Sequence, residues 1–191
     1  MRKIVLMLAA ASLFAASPGL SPTEESVVRL LNEARADPAR FAERYLARHA
    51  RKSSEAAECV REMRVTKALP VLKVAEALVR AAGDHADDSG RSGITGHRGS
   101  DRSSLDERIS RYAKWEGRIA ENIYYGRADA EEIVVQLLID RGVPGRGHRR
   151  TILDPKLALT GVAIRSHPGY GSICVMDFAT LLRPLLERRT R

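Results

Sequence analysis

The sequence predicts one α+β domain behind a short leader. Three observations carry that reading. Apolar residues recur at helical spacing through most of the chain, and capping residues stand at the starts of those runs. The C-terminal part switches to two β-rich runs, "LALTGVAIRS" and "GSICVMDFA", joined by the turn-forming "HPGYG". No internal repeat or low-complexity linker interrupts the 191 residues, and 44% of them are apolar, enough to bury a core.

Taken in order, Met1-Arg2-Lys3 is a basic start, followed by the apolar run "IVLMLAAASLFAA" and small residues. That pattern is a secretory signal peptide, too short to span a bilayer, with cleavage expected between Ala15 and Gly19. The expected organisation is a leader over 1–19, a folded domain over 20–182 and a basic tail over 183–191. Ser21-Pro22-Thr23-Glu24 is a helix start, with Ser at the N-cap, Pro at the first helical position and Glu two residues on. Val27, Val28, Leu30, Leu31 and Ala34 form its apolar stripe. Asp37-Pro38 starts a second helix that carries Phe41, Tyr45 and Leu46, and a short helix follows around Ala56 to Met63.

"LPVLKVAEALVRAAGDHADDSG" gives the longest amphipathic helix, with Val74, Leu78, Ala81, Ala82 and His85 near one face and Gly90 as its stop. "SSLDERISRYAKW" is a helix capped by Ser104 and Glu107, ending on Tyr112 and Trp115. "RIAENIYYG" is extended. Asp129 caps "AEEIVVQLLIDRG", which ends near Gly142, and the hairpin closes the chain. Five helices and three strands leave too few strands to cover two helix groups unless the sheet lies between them.

The formal charge is +8, and most of the cations are arginine. They alternate with acidic residues instead of concentrating on one element, so a solvated surface with a basic rim fits better than nucleic-acid binding. No second apolar stretch has transmembrane length. Cys59 and Cys174 are the two cysteines. In an oxidising compartment they can form one bridge; the alternative is a pair of buried free thiols.

Two segments cannot build a core. "GITGHRGSD" (93–101) and "GVPGRGHRR" (142–150) are glycine-lined, and each presents one histidine, His97 or His148. Between them stands "AEN", with Glu121. The ordered set "HADDSG", "GITGHRGSDRSS", "AENIYYG" and "GRGHRRTILDPKLALTGVAI" resembles the CAP superfamily of cysteine-rich secretory, antigen 5 and pathogenesis-related proteins, in its bacterial secreted branch. The resemblance implies a three-layer α-β-α sandwich and an open cleft lined by two histidines and two acidic residues. Matched motif by motif, these are His97, Glu121 and His148, with Asp140 in "LLIDRG" the carboxylate nearest the second acidic position. Ala120 replaces the usual glycine before Glu121. Leu138 stands where many relatives carry tryptophan, which implies a differently shaped cleft wall.

Two imidazoles are good ligands for a zinc-like divalent metal, and carboxylates beside them can fix their tautomers. His97 and His148 are therefore the candidate metal ligands, although neither "HExxH" nor a cysteine cage is present. The bland readings make His97 a loop residue, His148 a helix cap and Glu121 an organiser of loop amides. His85 reads as a core-edge residue, His49 and His167 as surface residues, Tyr124 and Tyr125 as packing and Asp101 as an Asx-turn former. Neither Ser100 nor Cys174 is paired with a base. The expected function is a secreted, non-enzymatic module binding a small molecule, a lipid, an extracellular protein or a divalent metal. The alternative is a metal-assisted hydrolase of peptides or cell-wall material with Glu121 as base.

Overall fold

The computed structural model describes residues 19–127 and 129–185. The expected leader, apart from Gly19, and most of the basic tail lie outside those residues. Helix α1 (Pro22–Ala36) starts on the expected capping box: Ser21 Oγ accepts the Glu24 amide while Glu24 accepts the Ser21 amide. Asp37 then caps α2 (Pro38–Phe41), which continues through a π-helical turn at Ala42–Leu46 into α3 (Ala47–Ala50). Helix α4 (Ser54–Val65) follows.

The "LPVLKV" segment departs from expectation. Lys73–Val74 form strand β1, so the long helix α5 begins only at Glu76 and runs to Ser92. Gly90 lies inside it, because a Cβ there would meet the Ser166 carbonyl oxygen at 2.6 Å. The stop is Gly93, in the left-handed conformation with φ 72°. Helix α6 (Leu105–Ser110) carries the expected Ser104–Glu107 box. Strand β2 (Ala113–Tyr125) is longer than "RIAENIYYG" and takes in Trp115. Helix α7 (Ala130–Ile139) ends three residues before Gly142, because Asp140 adopts the left-handed C-cap with φ 56°. A 3₁₀ turn (Pro144–Arg146), helix α8 (Gly147–Ile152), and strands β3 (Leu159–His167) and β4 (Gly171–Pro184) complete the described chain.

The sheet order is β1-β3-β4-β2. β3 and β4 form the expected antiparallel hairpin, β2 pairs antiparallel with β4, and β1 adds a short parallel strand that makes the sheet mixed. Side chains alternate across it. Val162, Cys174, Met176 and Phe178 join α1 to α4, α7 and α8 in the larger core. Ala163, Ile173, Val175 and Ile123 pack against Ala82 and Ala86 of α5 on the other face. The result is the three-layer sandwich, with β2 at one edge.

Cys59 and Cys174 do not form the possible bridge; both are buried free thiols. Cys59 faces Met63 along its own helix, 3.7 Å away, while Cys174 sits on β4 between Tyr124 and Ile164 of the flanking strands. Among the described residues, no helix is long and apolar enough to cross a membrane.

Candidate functional site

The structure pairs each candidate histidine with a candidate carboxylate. His97 Nδ1 donates to Glu121 Oε1 at 2.8 Å, and His148 Nδ1 donates to Asp140 Oδ1 at 2.7 Å. A carboxylate can only accept, so each bond fixes one tautomer and leaves Nε2 outward. Among the described residues, no hydrogen bond engages either Nε2.

Glu121 and Asn122 are consecutive on β2, so their side chains leave on opposite faces of the edge strand. Glu121 reaches His97 on the α5–α6 side, while Asn122 Nδ2 donates to the His148 carbonyl at 3.1 Å on the α7–α8 side. One dipeptide of β2 thus fastens both loops. A ligand touching both imidazoles would lie across that edge.

The His97 side chain is 60% exposed, whereas that of Glu121 is only 2% exposed. A carboxylate so buried requires partners. Arg108 Nη2 supplies the second one, donating to Glu121 Oε2 at 2.7 Å from a side chain that is equally buried. Burial works to raise the Glu121 carboxyl, but the His97 hydrogen bond and the Arg108 charge outweigh it and hold it below its usual range. In return the Glu121 hydrogen bond lifts the His97 imidazole above its ordinary value, against burial.

The 93–101 loop is fixed from several elements. His85 Nε2 donates to the Gly96 carbonyl at 2.8 Å, and Arg108 Nη1 donates to the His97 carbonyl at 3.2 Å. Tyr125 Oη accepts the Gly96 amide, and His167 Nε2 donates to the Ile94 carbonyl. Asp88 takes both the amide and the hydroxyl of Ser100. Asp101 forms the expected Asx turn by accepting the Ser103 amide. His167, read from sequence as a surface residue, is therefore buried and positions the loop; its ring also packs edge-on against Tyr125. A polar cavity of about 260 Å³ opens behind the loop, lined by Asp84, His85, Asp88, Ser103, Arg108 and Arg111 among others.

On the other side, Asp140 does more than hold an imidazole. Its Oδ2 accepts the His148 amide at 2.9 Å and the Arg149 amide at 3.4 Å, so it satisfies the start of α8 as well. Arg149 is wholly buried, donating to the Leu138 and Ile139 carbonyls and pairing with Glu58 and Glu62. Leu138 itself is completely buried in the larger core.

Sequence reasoning missed Arg108 and Arg149. Arginines scattered among acidic residues look solvated in a linear reading, and only the fold reveals which of them are enclosed. A signal for Arg108 did exist: a buried glutamate in a β-run requires a cation or amides close by. Among the described residues, no three His, Cys, Asp or Glu side chains are grouped to hold a metal ion. A divalent metal at these loops would have to use the two Nε2 atoms, with its further ligands from water or substrate.

Helices on both faces of a small mixed sheet, with histidine–carboxylate pairs at its edge strand, define an SCP-type domain. Residues 28–178 match the family model described as CAP, the cysteine-rich secretory protein family, and the chain belongs to that family. Solved structures agree on the fold. An outer surface protein of Borrelia burgdorferi is 16% identical with a TM-score of 0.50, over 69% of this chain and 92% of that one. An extracellular SCP-domain protein of Bacillus anthracis is 16% identical with a TM-score of 0.51, over 86% of this chain and 45% of that one. A cysteine-rich secretory protein of Staphylococcus aureus is 14% identical with a TM-score of 0.51, over 85% and 40%. The match thus spans less than half of the latter two proteins. Among curated proteins, none matches the chain in sequence.

Proposed function

We propose that the chain is an exported CAP-domain binding module. Its groove at the edge of β2 takes a small polar ligand or a divalent metal through the outward Nε2 atoms of His97 and His148. The observation that carries this reading is the matched pairing of the two imidazoles, each held at Nδ1 by a buried carboxylate. Such pairing holds each ring in place before a ligand arrives, which lowers the ordering cost of binding. A bound divalent metal would supply Lewis acidity at that point. The basic leader with its apolar run supports export, as do the extracellular and secretory relatives named above.

The hydrolase alternative is weaker because of Glu121. A general base must reach water or substrate and hold a pKa near the working pH. Glu121 is enclosed, both its oxygens are engaged, and Arg108 keeps it ionised.

The test is ¹⁵N NMR of the histidine side chains in leader-free protein during zinc titration. The expected result is simultaneous loss or shift of both the His97 and His148 Nε2 signals. Zinc that perturbs neither, or only one, contradicts the metal-binding form of the reading.

A further inference from the structure

Beneath Glu121 lies a second acid that no part of the groove uses. Asp177 is directly opposite Glu121 in the β2–β4 register and is 0% exposed. On its other side the register partner is Gly161 of β3, over which α5 descends so closely that a Cβ would meet the Val79 nitrogen at 2.1 Å. Asp177 is therefore sealed between the sheet and α5. Among the described residues, none makes a hydrogen bond to either of its carboxyl oxygens.

Among the described residues, Glu121 of β2 and Arg108 of α6 are the charged groups that act on it, its β3 neighbour is Gly161, and His85 of α5 acts on Glu121 instead. Arg108 directs Nη2 to Glu121 and Nη1 to the His97 and Ser103 carbonyls, and its Nε is left without a partner instead of turning to Asp177. His85 has Nε2 on the Gly96 carbonyl, and burial lowers its affinity for a proton. One full cation thus faces two carboxyl groups, and its short contact is with Glu121. A second carboxylate directly across the strand pair would be a buried, uncompensated charge beside a like charge.

We propose that Asp177 is a neutral, proton-carrying acid in the folded protein, a positioning residue that leaves Glu121 as the single negative charge under the His97 loop. Burial first, and then the charge of Glu121, push its carboxyl well above the usual range, in agreement with that geometry. The consequence is a division of labour between cross-strand neighbours: Glu121 stays ionised and orients His97, while Asp177 fills the adjacent site without adding charge. This does not depend on which ligand the groove takes.

A proton held in the folded state but released by the unfolded chain makes stability fall as pH rises. For one such group the folding constant drops about tenfold per pH unit, from the unfolded carboxyl value near 4 up to the folded one. Asn at position 177 keeps the shape and cannot ionise. The stability advantage of Asp177→Asn over the wild type should therefore widen by about tenfold in folding constant per pH unit between pH 5 and 7. A gap that stays constant over that range overturns the proposal. Independently of whether the variant folds, the ¹³C carboxyl shift of labelled wild-type Asp177 should be that of a protonated acid at pH 7. The shift of an ionised carboxylate there overturns it equally.

Discussion

At the scale of single residues, the candidate site rests on Glu121, and two substitutions separate its charge from its shape. Glu121→Gln keeps a side-chain acceptor but removes the charge, so the His97 titration should fall back toward the ordinary imidazole value near 6.5. A ¹H–¹⁵N titration of His97 reads that shift, and an unchanged midpoint would mean the pair is not coupled. Glu121→Leu leaves the Arg108 guanidinium buried without its partner, which costs about 3–5 kcal/mol. Urea denaturation should therefore find Glu121→Leu much less stable than Glu121→Gln. Asp140→Ala should destabilise by about 1–3 kcal/mol, because a part-buried and a buried amide at the start of α8 lose their acceptor.

At the scale of elements, the helix starts were the most legible feature, because Ser21, Asp37, Ser104 and Asp129 cap by local chemistry that a short sequence window contains. Helix ends were less so. Gly90 and Gly93 are alike on paper, and only the packing of α5 against β3 makes one a point of close approach and the other a stop. Strand β1 was missed because its two residues pair with β3, far along the chain. Glycines also differ in what they do. Gly161 lets α5 descend onto the sheet, so Gly161→Ala should cost about 3 kcal/mol or more. Gly96 has open space around its Cβ position and a φ of 92°, so Gly96→Ala should cost only about 1–2 kcal/mol through backbone strain. Comparable losses for the two variants in thermal denaturation would contradict this account of α5 packing.

Across the whole molecule several groups make stability follow pH: burial-lowered His85 removes stability as pH falls below about 6.5, and three others belong to the Glu121 cluster. His97 is raised, so its contribution is complete below about 6.5 and is lost as pH rises through its folded value. Glu121 is lowered, so its contribution is present above about 4.3 and is lost as pH falls through its folded value. Asp177 is raised and removes stability as pH rises above about 4. Above about pH 6.5 His97 and Asp177 both remove stability as pH rises, so stability should decline from about pH 6.5 toward 8, which denaturation midpoints measured over that range would check. The histidine-bearing loops were readable because glycine-rich segments cannot bury themselves. Their enclosed supports, Arg108, Arg149, His167 and Asp177, were not, since burial of a charged residue is a property of the fold. The most direct test of the central claim, that His97 and His148 serve one groove, is a double-mutant cycle of zinc affinity by calorimetry. With both imidazoles on one ion, His97→Ala and His148→Ala should each weaken binding at least about tenfold, and the double variant should lose far less than the product of the two. Full additivity, or unchanged affinity in either single variant, would contradict a shared site.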